Sequence, residues 1–350
     1  MKVYLVSNPS SKSTGISKYA DKLFIELLGR VDVELISTHD FMKFVKLVLS
    51  PFFNATNALN SFPLYLKLPK KGITHFTNQQ LCIPLIYLTR KNIVTVHDII
   101  PYITNTYNSF FESILYKLAM YGLKNADQIL ADSAHTKKDL INCLKISKDK
   151  ITVIPLGVDT KEFKPLSVKK EKNTILYVGS EMPRKNFETL LYAFAIVKKQ
   201  VPGAKLIKVG LPQWKNAREK HIRLAKGLGV SDSIIWKDYV TDLNLEYNKA
   251  TIFVFPSKYE GFGLPMLEAM AAGTPIICSN ATSLPEVGGN AVIYFNANNS
   301  EQLAEKIIVL LKSRETQKSV INFGLKIAKD FTWKNTANKT LKIYEKSQAL

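Results

Sequence analysis

Short runs of β-branched and aliphatic residues alternate with helical stretches along almost the whole chain, and the alternation starts twice. Lys2–Ser7 reads as a strand, a polar loop covers Asn8–Gly15, and a helix runs from about Ile16 to Leu28. Strands follow at Val31–Ser37, Gly72–Phe76, Ile93–His97, Gln128–Ala131 and Thr152–Pro155. After Leu156-Gly157-Val158-Asp159 and a lysine-rich stretch to Lys172, the rhythm begins again with Thr174–Gly179. Ala204–Val209, Ile234–Trp236, Thr251–Phe255, Pro275–Cys278 and Ala291–Phe295 continue it. Strand–helix alternation of this kind builds parallel sheets covered by helices on both faces. Two doubly wound α/β domains, residues 1–165 and 166–330, are the simplest account of 350 residues. They are expected to face a ligand cleft at the carboxyl ends of their strands. Periodicity leaves the last helix, about Trp333–Gln348, able to pack on either half.

Hydrophobic residues make up 46% of the chain and charged residues 22%, which suits packed cores and argues against disorder. The net charge of +19 calls for nucleic acid, an anionic membrane face, phosphorylated substrates or simple surface solvation. No zinc finger, RNA-binding aromatic signature or long basic block accompanies it, so nucleic acid is not expected. Phe41–Phe53 contains Lys43, Lys46 and Pro51 and falls short of the ~20 apolar residues of a membrane span. Phe41, Phe44, Val45, Leu47 and Val48 fit equally a basic amphipathic helix on an anionic membrane or a helix packed on its own domain. The N-terminus reads as a first strand rather than a signal peptide. Cys82, Cys143 and Cys278 match no zinc or redox spacing and read as reduced core or near-core thiols. A cytoplasmic location is the expectation, with peripheral contact to the membrane face.

The most informative window is Pro256–Pro275, which follows the strand Thr251–Phe255. Gly261 and Gly263 permit a tight turn with close backbone approach to a ligand. Pro265 suits the first position of a helix, and Gly273 its stop. A strand, a glycine loop and a helix start together make an anion site, because N–H groups and the positive dipole end face outward. Glu260 and Glu268 bracket that loop, and carboxylates accept hydrogen bonds from sugar and ribose hydroxyls. Taken as two isolated glutamates, they would be a loop charge and a helix-surface charge.

Glu260 through Glu268, with Gly-Phe-Gly-Leu-Pro inside, resembles the E-x7-E motif of retaining glycosyltransferases of family 4, which have the GT-B fold. The resemblance extends to Tyr177–Asn186, Val153–Asp159, Asp132–Leu140, Pro285–Gly288 and Phe331-Thr332-Trp333. It implies two Rossmann-like domains, an acceptor-binding one at 1–165 and a nucleotide-sugar-binding one at 166–330. Residues 331–350 would return to the N-terminal domain. Arg184 and Lys185 would meet the donor diphosphate, with Tyr239 and Val240 beside the base. Gly15, Gly261, Phe262, Gly263 and Leu264 would line the donor. Glu260 would hold the sugar hydroxyls, Glu268 the ribose, and His97, in Thr95–Pro101, would face the reacting sugar. Asp98 is left between loop orientation and acceptor contact, while His75 and His135 read as structural. Ser180, where many relatives carry Arg, and Asp238, where Gly is common, depart from the pattern, as does Gly289-Asn290.

Departure of a nucleoside diphosphate needs its growing charge stabilised. The sequence has no Asp-x-Asp to hold a metal, so Arg184, Lys185 and the Gly261–Leu264 loop are expected to serve, with no metal or other cofactor. The resemblance implies retention of anomeric configuration, and front-face attack fits because no residue is placed to act as a nucleophile. The segments Val96–Pro101 and Glu181–Asn186 look most like the mannosyltransferase branch, implying GDP-mannose and a glycan or polyprenyl-linked acceptor. A UDP-sugar transferase, a sugar-nucleotide epimerase or phosphorylase, and a sugar-binding two-domain module are the alternatives.

Overall fold

The computed structural model describes residues 1–7, 15–37, 68, 71–87, 91–107 and 109–349, with the side chains of 15–17 left out. Contacts divide the chain into one unit formed by Met1–Gly157 with Trp333–Leu350, and a second formed by Val158–Thr332.

In the first unit, β1 (Lys2–Ser7) leads to α1 (Gly15–Leu27) and β2 (Asp32–Ser37). Then come β3 (Ile73–Phe76), β4 (Asn92–Val96), α2 (Ile100–Thr104), α3 (Phe110–Leu123), β5 (Gln128–Ala131), α4 (Ala134–Leu144) and β6 (Ile151–Val153). The six strands form a parallel sheet in the order β2-β1-β3-β4-β5-β6. β3 and β4 are buried along their full length, their polar members Thr74, His75, Asn92 and Thr95 included, so neither alternates between a buried and an exposed face.

The second unit holds β7 (Thr174–Val178), α5 (Phe187–Gln200), β8 (Lys205–Val209), α6 (Ala217–Gly227), β9 (Ile234–Lys237) and α7 (Leu243–Lys249). β10 (Ile252–Phe255), α8 (Leu264–Ala271), β11 (Ile276–Ser279), α9 (Leu284–Gly288), β12 (Ile293–Phe295), α10 (Ser300–Lys312) and α11 (Arg314–Asp330) complete it. Its parallel sheet runs β12-β11-β10-β7-β8-β9, so strand order reverses between β7 and β10. That reversal opens a crevice at the carboxyl ends of the two strands, where open α/β sheets bind ligands.

The last helix, α12 (Trp333–Ala349), belongs to the first unit. It packs along α1 and β3, with Tyr344 Oη 2.6 Å from His75 Nδ1 and the Trp333 ring 6.2 Å from Tyr19. Thr336 Oγ1 donates to the Pro155 carbonyl at 2.8 Å. Each sheet carries its own apolar core, one centred on Phe76, Val94 and Ile129 and the other on Ile175, Leu206 and Val254. Strand limits fall within two residues of those read from the sequence. One thiol differs: Cys82 and Cys278 are buried, but Cys143 is exposed on α4, at the edge of the stripe that carries the buried Leu140 and Leu144. The stretch Phe41–Phe53 lies outside the described residues.

Helix α3 lies directly on the turns at 79–86, with no room for a side chain at Gly122, where an added Cβ would sit 2.1 Å from the Cys82 carbonyl oxygen. Gly122→Ala is expected to lower stability by about 1–3 kcal/mol in chemical denaturation. Gly227→Ala, where a Cβ meets nothing within 4 Å, should leave it unchanged or slightly raised.

Candidate functional site

The reversal point of the second sheet gathers the charged residues picked out in the sequence. β10 ends in a loop whose Glu260 is buried, and β7 ends in the turn carrying Arg184 and Lys185. Lys185 Nζ donates to Glu260 Oε1 at 2.6 Å, and Arg184 Nη1 to Oε2 at 3.1 Å and to the Tyr259 carbonyl at 3.2 Å. The backbone joins the same two loops, as Lys258 N donates to Arg184 O at 2.7 Å. Burial works to raise the Glu260 carboxyl, but Lys185 and Arg184 outweigh it and hold the group below the usual carboxylate range. Two cations and one carboxylate leave an excess positive charge at the crevice.

The loop after Glu260 is fixed from below. Ser283 Oγ donates to the carbonyls of Glu260 and Phe262 at 3.0 and 3.2 Å, and Glu260 N donates to Thr282 Oγ1 at 3.0 Å. Gly263 has φ 111°, and a Cβ there would lie 2.9 Å from Leu284, so glycine is required for both reasons. It caps α8, whose first turn holds Pro265, so the amino end of α8 opens from this loop. Glu268, inside α8, is buried and accepts from Tyr247 Oη at 3.1 Å. Phe262 differs from a ligand-facing side chain: its ring is buried 6.0 Å from Phe331, so any ligand contact comes from its backbone. Gly261 and Leu264 are half-buried, Val240 likewise, and Tyr239 is largely exposed. The loops after β7, β8 and β10 also line a depression of about 470 Å³, bordered by Pro183, Asn186, Trp214, Lys215 and Lys258.

One constellation went unread in the sequence. Glu181, fully buried, accepts from Lys208 Nζ and Arg218 Nε at 2.7 Å each and lies 3.0 Å from His221 Nδ1. Arg218 continues to Asp238 at 2.8 Å and covers the Trp236 ring at 4.7 Å. The ends of β7, β8 and β9 are thereby joined through charge, and Asp238 gains a role in fixing the Tyr239-Val240 strip. A lysine inside the apolar run Leu206-Ile207-Lys208-Val209 was the one available signal. Burial opposes ionisation of Glu181, yet His221, Lys208 and Arg218 bring its carboxyl down to about 2.

In the first unit His97 follows β4 and is buried. Its Nδ1 lies 2.7 Å from Asp132 Oδ2 and its Nε2 3.1 Å from the Thr77 carbonyl, and a carbonyl only accepts. Nε2 therefore carries a proton, and the Asp132 carboxylate at Nδ1 favours the doubly protonated ring. Burial works against that charge, but Asp132 prevails and the His97 pKa is raised. The Tyr19 ring meets His97 edge-on at 5.1 Å. Asp98 Oδ1 accepts from Ile100 N at 3.0 Å, orienting the turn into α2. His75 is structural: burial drives its pKa down to about 3, and the neutral ring bridges Tyr344 Oη and Thr95 Oγ1. His135 Nε2 sits 3.6 Å from Asp139 on α4. Gly15 opens α1, while the loop before it lies outside the described residues. Among the described residues no group of three or more His, Cys, Asp or Glu side chains could hold a metal ion, and no helix is long and apolar enough to cross a membrane.

The model for glycosyl transferases group 1 matches residues 158–326, and that for glycosyltransferase family 4 matches residues 73–162. The O-antigen chain mannosyltransferase B of Escherichia coli is 30% identical over 296 residues, covering 75% of this chain and 73% of its own length. The chain belongs to the group 1, family 4 glycosyltransferases. This glycosyltransferase is also 29% identical over 283 residues to the serotype-specific mannosyltransferase WbdA of Escherichia coli, which spans 75% of this chain but only 34% of WbdA. Among solved structures, Anabaena Alr3699/HepE in complex with UDP-glucose superposes with a TM-score of 0.81 at 15% identity, over 99% of this chain and 100% of its own. That likeness gives the fold, which is GT-B.

A carboxyl lowered on folding stabilises above its unfolded value and loses that contribution as pH falls through the folded one. For Glu181 the window runs from the ordinary carboxylate range, about 4.3, down to about 2. Acid titration monitored by circular dichroism should show the second unit destabilising there. Glu181→Gln should lower stability at pH 7 by about 3–5 kcal/mol, because Lys208 is left buried without its carboxylate, and should flatten that acid limb.

Proposed function

We propose that this glycosyltransferase is a retaining, metal-independent mannosyltransferase that takes mannose from GDP-mannose to a glycan or lipid-linked glycan acceptor on the cytoplasmic side of a membrane. The observation carrying the reading is the buried Glu260 carboxylate clamped by Lys185 and Arg184 beside the start of α8. A leaving diphosphate gains charge as the bond to the anomeric carbon breaks, and fixed cations with a helix amino end stabilise that charge without reorganising. In this role Lys185 and Arg184 receive the phosphates, Glu260 orients both cations and accepts from sugar hydroxyls, and Glu268 accepts from the ribose. The acceptor hydroxyl attacks from the face the diphosphate leaves, and its proton passes to the departing phosphate oxygen. His97 contacts the transferred sugar, which requires its Nε2 to exchange the Thr77 carbonyl for a sugar oxygen while Asp132 keeps the ring charged. The first unit would bind the acceptor and the second, Val158–Thr332, the donor, with Gly15 near the phosphates and Tyr239 and Val240 beside the base.

Mannose as the transferred sugar is supported by the names of the relatives, which are mannosyltransferases of O-antigen and serotype-specific glycans. A UDP-linked donor is the second reading, favoured by the UDP-glucose complex of the HepE neighbour. Calorimetric titration with GDP, UDP and ADP, in magnesium and in EDTA, separates them. GDP is expected to bind selectively and equally in both buffers, and Glu268→Ala to weaken it by about tenfold through loss of two ribose hydrogen bonds. Selective UDP binding would change the donor, and binding only with magnesium would overturn the metal-independent reading.

A further inference from the structure

The depression of about 470 Å³ in the second unit is lined by cations in excess of the carboxylates that could neutralise them. Lys215 comes from the loop after β8, Arg223 from α6 and Lys258 from the loop after β10, and all three are exposed. Among the described residues no carboxylate pairs with any of the three. The carboxylates that share the lining are taken, Glu188 by Lys220 at 2.6 Å and Glu181 by Lys208, Arg218 and His221. Cations gathered round one concavity repel each other, and a cleft lined by one sign of charge concentrates the opposite sign. Trp214, half-buried, adds its indole to the same lining. Its loop is fixed by Ala217 N donating to Trp214 O at 3.2 Å and Glu181 N to Pro212 O at 2.9 Å. Gln213 and Asn216 take left-handed φ values of 53° and 57° on either side of Trp214 and Lys215, which turns both side chains out of the chain's direct path.

We propose that this depression is a second ligand site, for a sugar that carries a phosphate group. Cations from three elements suit an anion with several acceptor oxygens, as a phosphate has. The volume lies in the range of small-molecule sites and exceeds what a bare phosphate fills. The indole offers a flat apolar face to the C–H side of a sugar ring. The site stands apart from the proposed diphosphate clamp, since Pro183 lines the depression while Arg184 and Lys185, next in the chain, are engaged by Glu260. The two still share a wall: Lys258 N donates to Arg184 O at 2.7 Å, which ties the loop carrying Lys258 to the turn carrying the clamp. The inference depends on no particular donor and holds for either one.

Trp214 reports on the site. Of the three tryptophans Trp333 is buried and Trp236 lies under Arg218, so the Trp214 signal is the difference between wild type and Trp214→Phe. Mannose 6-phosphate and glucose 6-phosphate serve as probes, and at least one should change wild-type fluorescence saturably, with calorimetry giving the same affinity. Lys215→Ala with Arg223→Ala should weaken that binding by about tenfold or more and reduce its salt dependence, as two charge-assisted contacts are lost. Both positions are exposed, and an unchanged thermal midpoint would show that the variant is folded. The unphosphorylated sugar and inorganic phosphate, each alone, should bind at least about tenfold more weakly, because each keeps only one half of the contacts. The methyl glycoside of the probe identifies the source: equal affinity assigns the site to a phosphorylated residue within a glycan, and lost affinity to a free sugar phosphate. Absence of saturable binding, inorganic phosphate binding as tightly as the sugar phosphate, or unchanged affinity in the folded double variant would overturn the proposal. Displacement of the probe by GDP would overturn it too, by making the depression part of the donor site.

Discussion

A carboxylate buried at the reversal of a parallel sheet has few ways to remain charged. Glu260 does so by drawing Lys185 and Arg184 from the other side of the strand crossing, and the local structure follows from that need. The turn after β7 is held against the loop after β10, the glycine loop is pinned by Ser283 and Thr282, and α8 begins where Gly263 turns the chain. Removal of the carboxylate would leave two cations repelling one another at the crevice, and removal of the cations would leave the carboxylate unpaired. The same arrangement that makes the fold locally stable sets positive charge where a diphosphate can be received.

Charge is buried by the same rule elsewhere in the chain. Glu181 is enclosed by Lys208, Arg218 and His221, and the chain of contacts reaches Asp238 beside the exposed Tyr239. Asp132 raises the pKa of His97, which a carbonyl orients, while His75 in the adjoining strand is kept neutral by burial between Tyr344 and Thr95. The two histidines are thus shifted in opposite directions because one has a carboxylate partner and the other has hydroxyls. Glu260, Glu181 and His97 all lie just beyond the carboxyl end of a strand.

Much of the architecture was legible because parallel strands covered on both faces are written as apolar runs, as in Ile252–Phe255. Glu260, the two glycines and Pro265 were legible because they lie within one short window. The partnerships were not. Lys185 and Glu260 are 75 residues apart and His97 and Asp132 35 apart, so only the folded sheet brings them together. Glu181 was the hardest to see, since its partners come from β8 and α6, and His221 looks like any helix-surface residue in sequence. Phe262 is the reverse case, a residue inside the motif whose side chain is used for packing.

Lys185 and Arg184, aligned by Glu260, are proposed to form the diphosphate site. Comparing the affinities for GDP and guanosine isolates that contribution, because the two ligands differ only in the phosphates. Wild-type protein should favour GDP strongly, and Lys185→Met should reduce the ratio by about tenfold or more while leaving guanosine affinity unchanged, as expected for loss of a charge-assisted contact. An unchanged ratio in folded Lys185→Met and Arg184→Met proteins would contradict the account and place the phosphates elsewhere.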